Sequence, residues 1–187
     1  MLNSLSKKIV YTLALQEKDT VDVCVYGCEI LLYTIISTIG LMLIAICLKS
    51  LKQGIIIIAV FYINQSFGGG IHAKTHTQCF LFMAVGLGLA ISFSSLPIVY
   101  YVLGCASLLI LFIHPLILHP NKEFLKKNLK TFRRRSQFIV GFEIVLFFIS
   151  VIFPQYVIAS FAKGLFLSAV SRLSAYICKN KILVDSL

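Results

Sequence analysis

The stretch Phe67–Cys79 reads FGGGIHAKTHTQC and places three consecutive glycines, two histidines and a cysteine between long apolar runs. An imidazole can take the proton of a thiol, and the resulting thiolate attacks carbonyl carbon. Imidazole and thiolate also bind metals. Glycine adopts positive φ and lets bare backbone N–H groups approach a ligand. At the start of a following helix such groups form an anion site that favours a thiolate. Three readings compete. The segment could be a polar loop whose glycines let two helices pack closely. It could bind a metal, since His72, His76 and Cys79 would share one helical face, but HAKTH lacks the glutamate of HExxH and no nearby carboxylate supplies a base. Or a cysteine nucleophile could work with a histidine base. If Ile71–Cys79 were one continuous helix, His72 and Cys79 would lie about 10 Å apart along the axis, out of reach of each other. His76, three residues before Cys79, is the nearer base on that geometry.

These groups must be positioned by apolar elements. Of the 187 residues, 59% are hydrophobic and only 13% charged, and the mean hydropathy is +0.95. A soluble domain of this size lacks the polar surface to cover so much apolar side chain. The expected fold class is all-α, a polytopic membrane helical bundle. Its apolar runs are Val23–Leu48, Leu51–Phe67, Phe80–Leu96, Pro97–Leu118, Phe138–Phe153 and Gln155–Cys178, the last two divided by Pro154. A full span needs ~20 residues, so Leu51–Phe67 and Phe138–Phe153 are short; six spans, or four full and two partial, are expected.

The net charge of +10 falls mostly between these runs and at the termini, which argues against nucleic acid as a partner. With the N-terminus inside, Lys7, Lys8, Lys18, Lys74, Lys179, Lys181 and the basic stretch Asn121–Ser136 are cytoplasmic, and only Lys49 and Lys52 lie outside. That asymmetry predicts an N-in, C-in topology. The whole chain, 1–187, reads as a single membrane domain with three special segments: an amphipathic interfacial helix over 1–20, a cytoplasmic turn over 67–79 and a basic loop over 119–137. The basic loop touches anionic lipid headgroups in this reading. In the first segment Leu2, Leu5, Ile9 and Leu13 recur at helical spacing, and QEKD stands where a signal-peptide cleavage site would need small residues.

Four charges interrupt the apolar runs: Glu29, Glu143, Lys163 and Arg172. Buried in a bilayer they must pair or face a polar cavity. Glu29 and Glu143 each lie about two turns from the cytoplasmic ends of their runs, at the depth of Arg172. An inter-helix ion pair is favoured over a catalytic role, in which a glutamate would orient the histidine or engage substrate. Cys24, Cys28, Cys47 and Cys105 lie within apolar runs, where packing is the default for cysteine.

The pattern GGxHAK, followed by a cysteine seven positions after the histidine, resembles the signature of the accessory gene regulator B (AgrB) family of membrane endopeptidases of Gram-positive quorum sensing. The amphipathic N-terminus, the short polytopic body and a second loop of the form HP…NKEF…K…RRRS add to the likeness. The resemblance implies that His72 and Cys79 are the catalytic pair, and hence that this segment is not one straight helix. It implies no cofactor and a location in the plasma membrane. It also implies an AgrD-like precursor peptide as substrate, cut after its signal core and closed to a thiolactone or lactone. A homodimer is compatible with it. Family members often carry an arginine just before the glycines, where this chain has Gln65 and Ser66; Lys74, Gln65 or the N–H groups of Gly69 and Gly70 could substitute. Arg133, Arg134 and Arg135 would meet the acidic tail of the precursor. The competing class is a non-enzymatic transporter or scaffold, although no internal repeat is evident.

Overall fold

The computed structural model describes residues 2–12, 18–69, 76–114 and 129–184. Among them the chain forms seven α-helices and no strand. They are α1 Leu2–Thr12, α2 Lys18–Cys47, α3 Leu51–Gly68, α4 His76–Ser92, α5 Pro97–Ile113, α6 Leu129–Ile149 and α7 Gln155–Val184, with a 3-10 turn at Ser150–Ile152 before α7.

Among the described residues, three helices are long and apolar enough to cross a membrane: Gly27–Cys47, Lys130–Ile152 and Gln155–Ile177. The lengths differ from those expected in two places. The run read as short, Phe138–Phe153, belongs to a helix of spanning length because α6 starts upstream at Leu129. Residues 129–137 of the expected basic loop are thus helical, and residues 119–128 lie outside the described residues. The physical reason is that Lys and Arg are good helix formers whose charged ends reach water from the end of a span. Conversely, the runs read as full spans from Phe80 and Pro97 are the shorter helices Thr77–Ser92 and Pro97–Ile113. Pro97 stands at the start of α5, where its missing N–H costs nothing. The Tyr100 hydroxyl accepts the Ser95 N–H at 2.9 Å, tying down the link from α4.

The described connections, between α2 and α3, α4 and α5, and α6 and α7, are short, so these neighbours run antiparallel. Between α2 and α3 only Leu48–Ser50 intervene, with Lys49 at φ 53° and Ser50 N–H donating to Ala45 O at 2.9 Å. At the centre stands α7. Of its spanning window 61% is buried, against 17% for α2, so α2 is largely a lipid-facing helix and α7 a core helix. One core cluster joins Val60 of α3, Leu108 and Leu111 of α5, Val140 and Phe147 of α6, and Ala162 and Leu165 of α7. A second joins Leu41 of α2, Ile57 and Phe61 of α3, and Met83 and Leu87 of α4. Small residues set the close approaches, as is usual where lipid removes a hydrophobic drive between helices. A Cβ on Gly164 would stand 2.9 Å from Val60 Cβ, and one on Gly104 would enter the Phe147 ring. The outward faces carry Ile35, Ile39 and Leu43 on α2 and Val145 and Phe148 on α6, all exposed. Apolar side chains outside and serines within are the pattern that a bilayer selects.

The helix α1 packs on the first turns of α2, where Val10 meets Val21 and Val25. Its buried face is Ser6 and Val10, whereas Ile9, on the apolar face read from the sequence, is 38% exposed and Tyr11 65%. The α2 contact takes one flank of the helix and leaves the Ile9 flank outward, as an interfacial helix requires.

Candidate functional site

The antiparallel order brings the end of α3, the start of α4 and the end of α5 to one end of the bundle. The candidate turn lies there. Its described part begins with Gly69, at φ 70° and ψ −176°. This conformation is open essentially to glycine alone and stops α3 abruptly. The Gly69 N–H still donates to Gln65 O at 3.2 Å. Gly70, His72 and Lys74 lie outside the described residues, so the structure does not bear on the His72–Cys79 distance. The helix α4 starts at His76, which puts Cys79 in its opening turn. Cys79 is a half-buried free thiol. It lies within electrostatic reach of the Tyr62 hydroxyl of α3, which shares a hydrogen bond with Thr38 of α2.

On the other side of α3 is a buried polar cluster built from three helices. Asn64, Glu143 and Arg172 are each at most 3% exposed. Asn64 Nδ2 donates to Glu143 Oε1 at 2.6 Å. Arg172 Nη2 donates to Asn64 Oδ1 and to Asn64 O, both at 3.1 Å. Arg172 Nη1 donates to Leu111 O and His114 O, both at 3.3 Å. One guanidinium therefore serves last-turn carbonyls of both α3 and α5. Those carbonyls carry the negative end of each helix dipole, the favoured place for a cation. Inserting an arginine into a bilayer centre costs about 3 kcal/mol on insertion scales. Charge-assisted bonds contribute roughly 1.5–3 kcal/mol each, so this set offsets the cost.

Room for the guanidinium comes from Gly68. A Cβ there would overlap Arg172 Nη2 and Cζ. Three residues before Gly68, Gln65 Nε2 donates to Ser171 Oγ at 3.3 Å. Gln65 thus joins α3 to α7 in this structure. Glu143 is joined to Arg172 through Asn64. Glu29 is half-buried on α2, away from this cluster in the chain. Lys163 is buried in α7 with its ammonium 5.5 Å from the Tyr100 ring centroid, a cation–π arrangement. Arg133, Arg134 and Arg135 are exposed on the opening turns of α6, and Arg135 lies over the Phe132 ring at 6.0 Å. Asn64 and Gly68 were not singled out by sequence reasoning. The available signal was a polar residue near the end of an apolar helix, which in a membrane needs a partner.

A family model described as accessory gene regulator B matches residues 2–173. The chain belongs to the accessory gene regulator B family. The match spans every described helix except the end of α7. Neither a curated protein nor a solved structure matches the chain. Membership in the accessory gene regulator B family carries a general role in autoinducer processing for quorum sensing, with a precursor peptide as the substrate class. Together with the three long apolar helices, it makes this a membrane protein.

Proposed function

We propose that the protein is a membrane cysteine endopeptidase that cuts an autoinducer precursor and promotes closure of its signal core, with Cys79 as nucleophile and His72 as base. The observation that carries the reading is a free, half-buried thiol in the opening turn of a helix, directly after a glycine-terminated helix, in a chain of the accessory gene regulator B family.

The chemistry follows from these groups. His72 takes the Cys79 proton, and the thiolate adds to the carbonyl carbon after the signal core. The C–N bond breaks as the imidazolium gives its proton to the departing amine, leaving a thioester on Cys79. A cysteine or serine side chain of the bound core then passes its proton to His72 and attacks the thioester. The C–S bond breaks, the ring closes as a thiolactone or lactone, and Cys79 is regenerated. Closure outruns hydrolysis if water is held off the acyl-enzyme, which a site among apolar helix ends favours. Burial pushes the Cys79 thiol up, so forming the thiolate depends on the histidine base.

Incubating the purified protein with a synthetic precursor, quenching in acid and mapping by mass spectrometry should find the core peptide attached at Cys79. The adduct should be released by hydroxylamine, which cleaves thioesters. Continued cleavage by a Cys79→Ala protein would sink the assignment.

The exposed arginines of α6 suit an acidic tail on the precursor. Attraction at an exposed site is screened by salt, since the Debye length falls to about 3 Å at 1 M. Neutralising Arg133, Arg134 and Arg135 together should raise KM, flatten its salt dependence and leave kcat nearly unchanged, because binding common to ground and transition states is lost. A correctly inserted triple variant with unaltered KM at every salt concentration would confine the arginines to lipid contact and orientation.

A further inference from the structure

We propose that Arg172 is the positioning residue of this site, acting through Asn64 and Gly68 to set where α3 ends and therefore where the Cys79 turn begins. The inference rests on the reading of Cys79 as nucleophile. Three observations carry it. The guanidinium is buried and donates at 3.1 Å to both the carbonyl and the side-chain oxygen of Asn64, inside the last turns of α3. It lies against Gly68, the final residue of that helix, so closely that no Cβ fits between them. And it reaches a second helix end, donating at 3.3 Å to Leu111 O and His114 O of α5.

The end of α3 is thus held against α5 and α7 by one side chain. Glu143 of α6 braces the same point by accepting from Asn64 Nδ2 at 2.6 Å. Arg172 cannot itself bind the precursor in this arrangement, since it is only 1% exposed. Its influence has to pass along α3. One turn of that helix separates Asn64 from Gly68, and Gly69 then sends the chain away with φ 70°. Tyr62, on the opposite side of α3, is the residue within electrostatic reach of Cys79. A rotation or fraying of the last turn would shift both Gly69, where the chain leaves the helix, and Tyr62, which lies within electrostatic reach of Cys79. A misplacement of about 1 Å can cost a reaction a hundredfold, so a residue that never meets substrate can still govern the rate.

A positioning role predicts a loss in kcat with little change in KM, because binding surfaces are intact while the reactive geometry is not. Full-length protein in nanodiscs would be assayed with a synthetic precursor, alongside site-resolved labelling of Cys79 by a methanethiosulfonate reagent. Arg172→Gln should lower kcat at least tenfold with KM within twofold, and should change the Cys79 labelling rate at least fivefold. Arg172→Lys, which keeps the charge but cannot fork to two helix ends, should fall between it and the wild type. The double variant Asn64→Ala with Arg172→Gln should be no worse than the more damaged single variant, as members of one network behave. If Arg172→Gln does not accumulate in membranes, Asn64→Ala carries the test with the same expected drop in kcat. A matching rise in KM, an unchanged kcat or additive losses would each overturn the proposal. Cleavage by Cys79→Ala protein would instead refute the nucleophile, and the labelling rate would still report whether Arg172 positions the turn.

Discussion

Cys79→Ala abolishes precursor cleavage, and His72→Ala does the same, while each protein still inserts in the membrane. Cys79 is half-buried at a helix start, so Cys79→Ala removes no core side chain. The expected loss is roughly 10⁴-fold or more, the scale seen when a protease loses its nucleophile or its base. His76→Ala is the control that separates two geometries. His76 is the first residue of α4 and Cys79 follows three later, close enough for a helical dyad. His72 precedes the described helix. If His72 is the base, His76→Ala keeps substantial activity. The measurement is the initial rate of product formation in membranes normalised to inserted protein. A dead His76→Ala protein beside an active His72→Ala protein would assign the base to the helix and not to the turn.

Gly68→Ala is expected to be nearly as damaging, for a reason visible only in three dimensions. The added methyl group would occupy the place of the Arg172 guanidinium. Either the end of α3 or the arginine must move, and the bonds to Asn64 O and Oδ1 are then lost. At about 1.5–3 kcal/mol for each charge-assisted bond, the protein should lose roughly 3 kcal/mol of stability. That corresponds to a fall in Tm on the order of 5–10 °C in detergent, read by thermal scanning. Activity should drop with it. Gly69→Ala should also destabilise, by about 1–3 kcal/mol, but through backbone strain at positive φ and without displacing Arg172. Combining Gly68→Ala with Arg172→Ala distinguishes the two mechanisms. If the clash is the cause, the pair loses no more than the worse single change; a sum of the two losses would mean that Gly68 acts on something else.

The sequence alone determined the solvent and the all-helical class. Long continuous apolar runs with lysines and arginines between them call for helices in a bilayer, where each span bonds its own backbone polar groups, whereas barrel strands would alternate apolar and polar residues. The break at Pro154, the start of α5 at Pro97 and the extent of Leu51–Phe67 were legible for the same local reasons, with α3 ending only one residue later. So was the chemical character of FGGGIHAKTHTQC, since residue types declare nucleophiles and bases without any coordinates. The upstream reach of α6 was harder to read. Its opening turns are charged, and hydropathy cannot tell a basic loop from a basic helix end.

What only the tertiary structure decided is who meets whom. Arg172 and Glu143 were visible as isolated charges at similar depth, but depth does not specify azimuth. A helix presents a new face every 100°, and a small change in its rotation would turn Arg172 to lipid. The packing of α7 between α3 and α5 aims the guanidinium at Asn64, a residue 108 positions away. The three consecutive glycines read as one unit of a polar loop. In the fold Gly68 and Gly69 do different work: the first is small because a cation needs its space, and the second bends because its φ is 70°. Local pattern records the character of each side chain, whereas a contact between helices depends on their relative rotation, and that is set by the packing of the whole bundle.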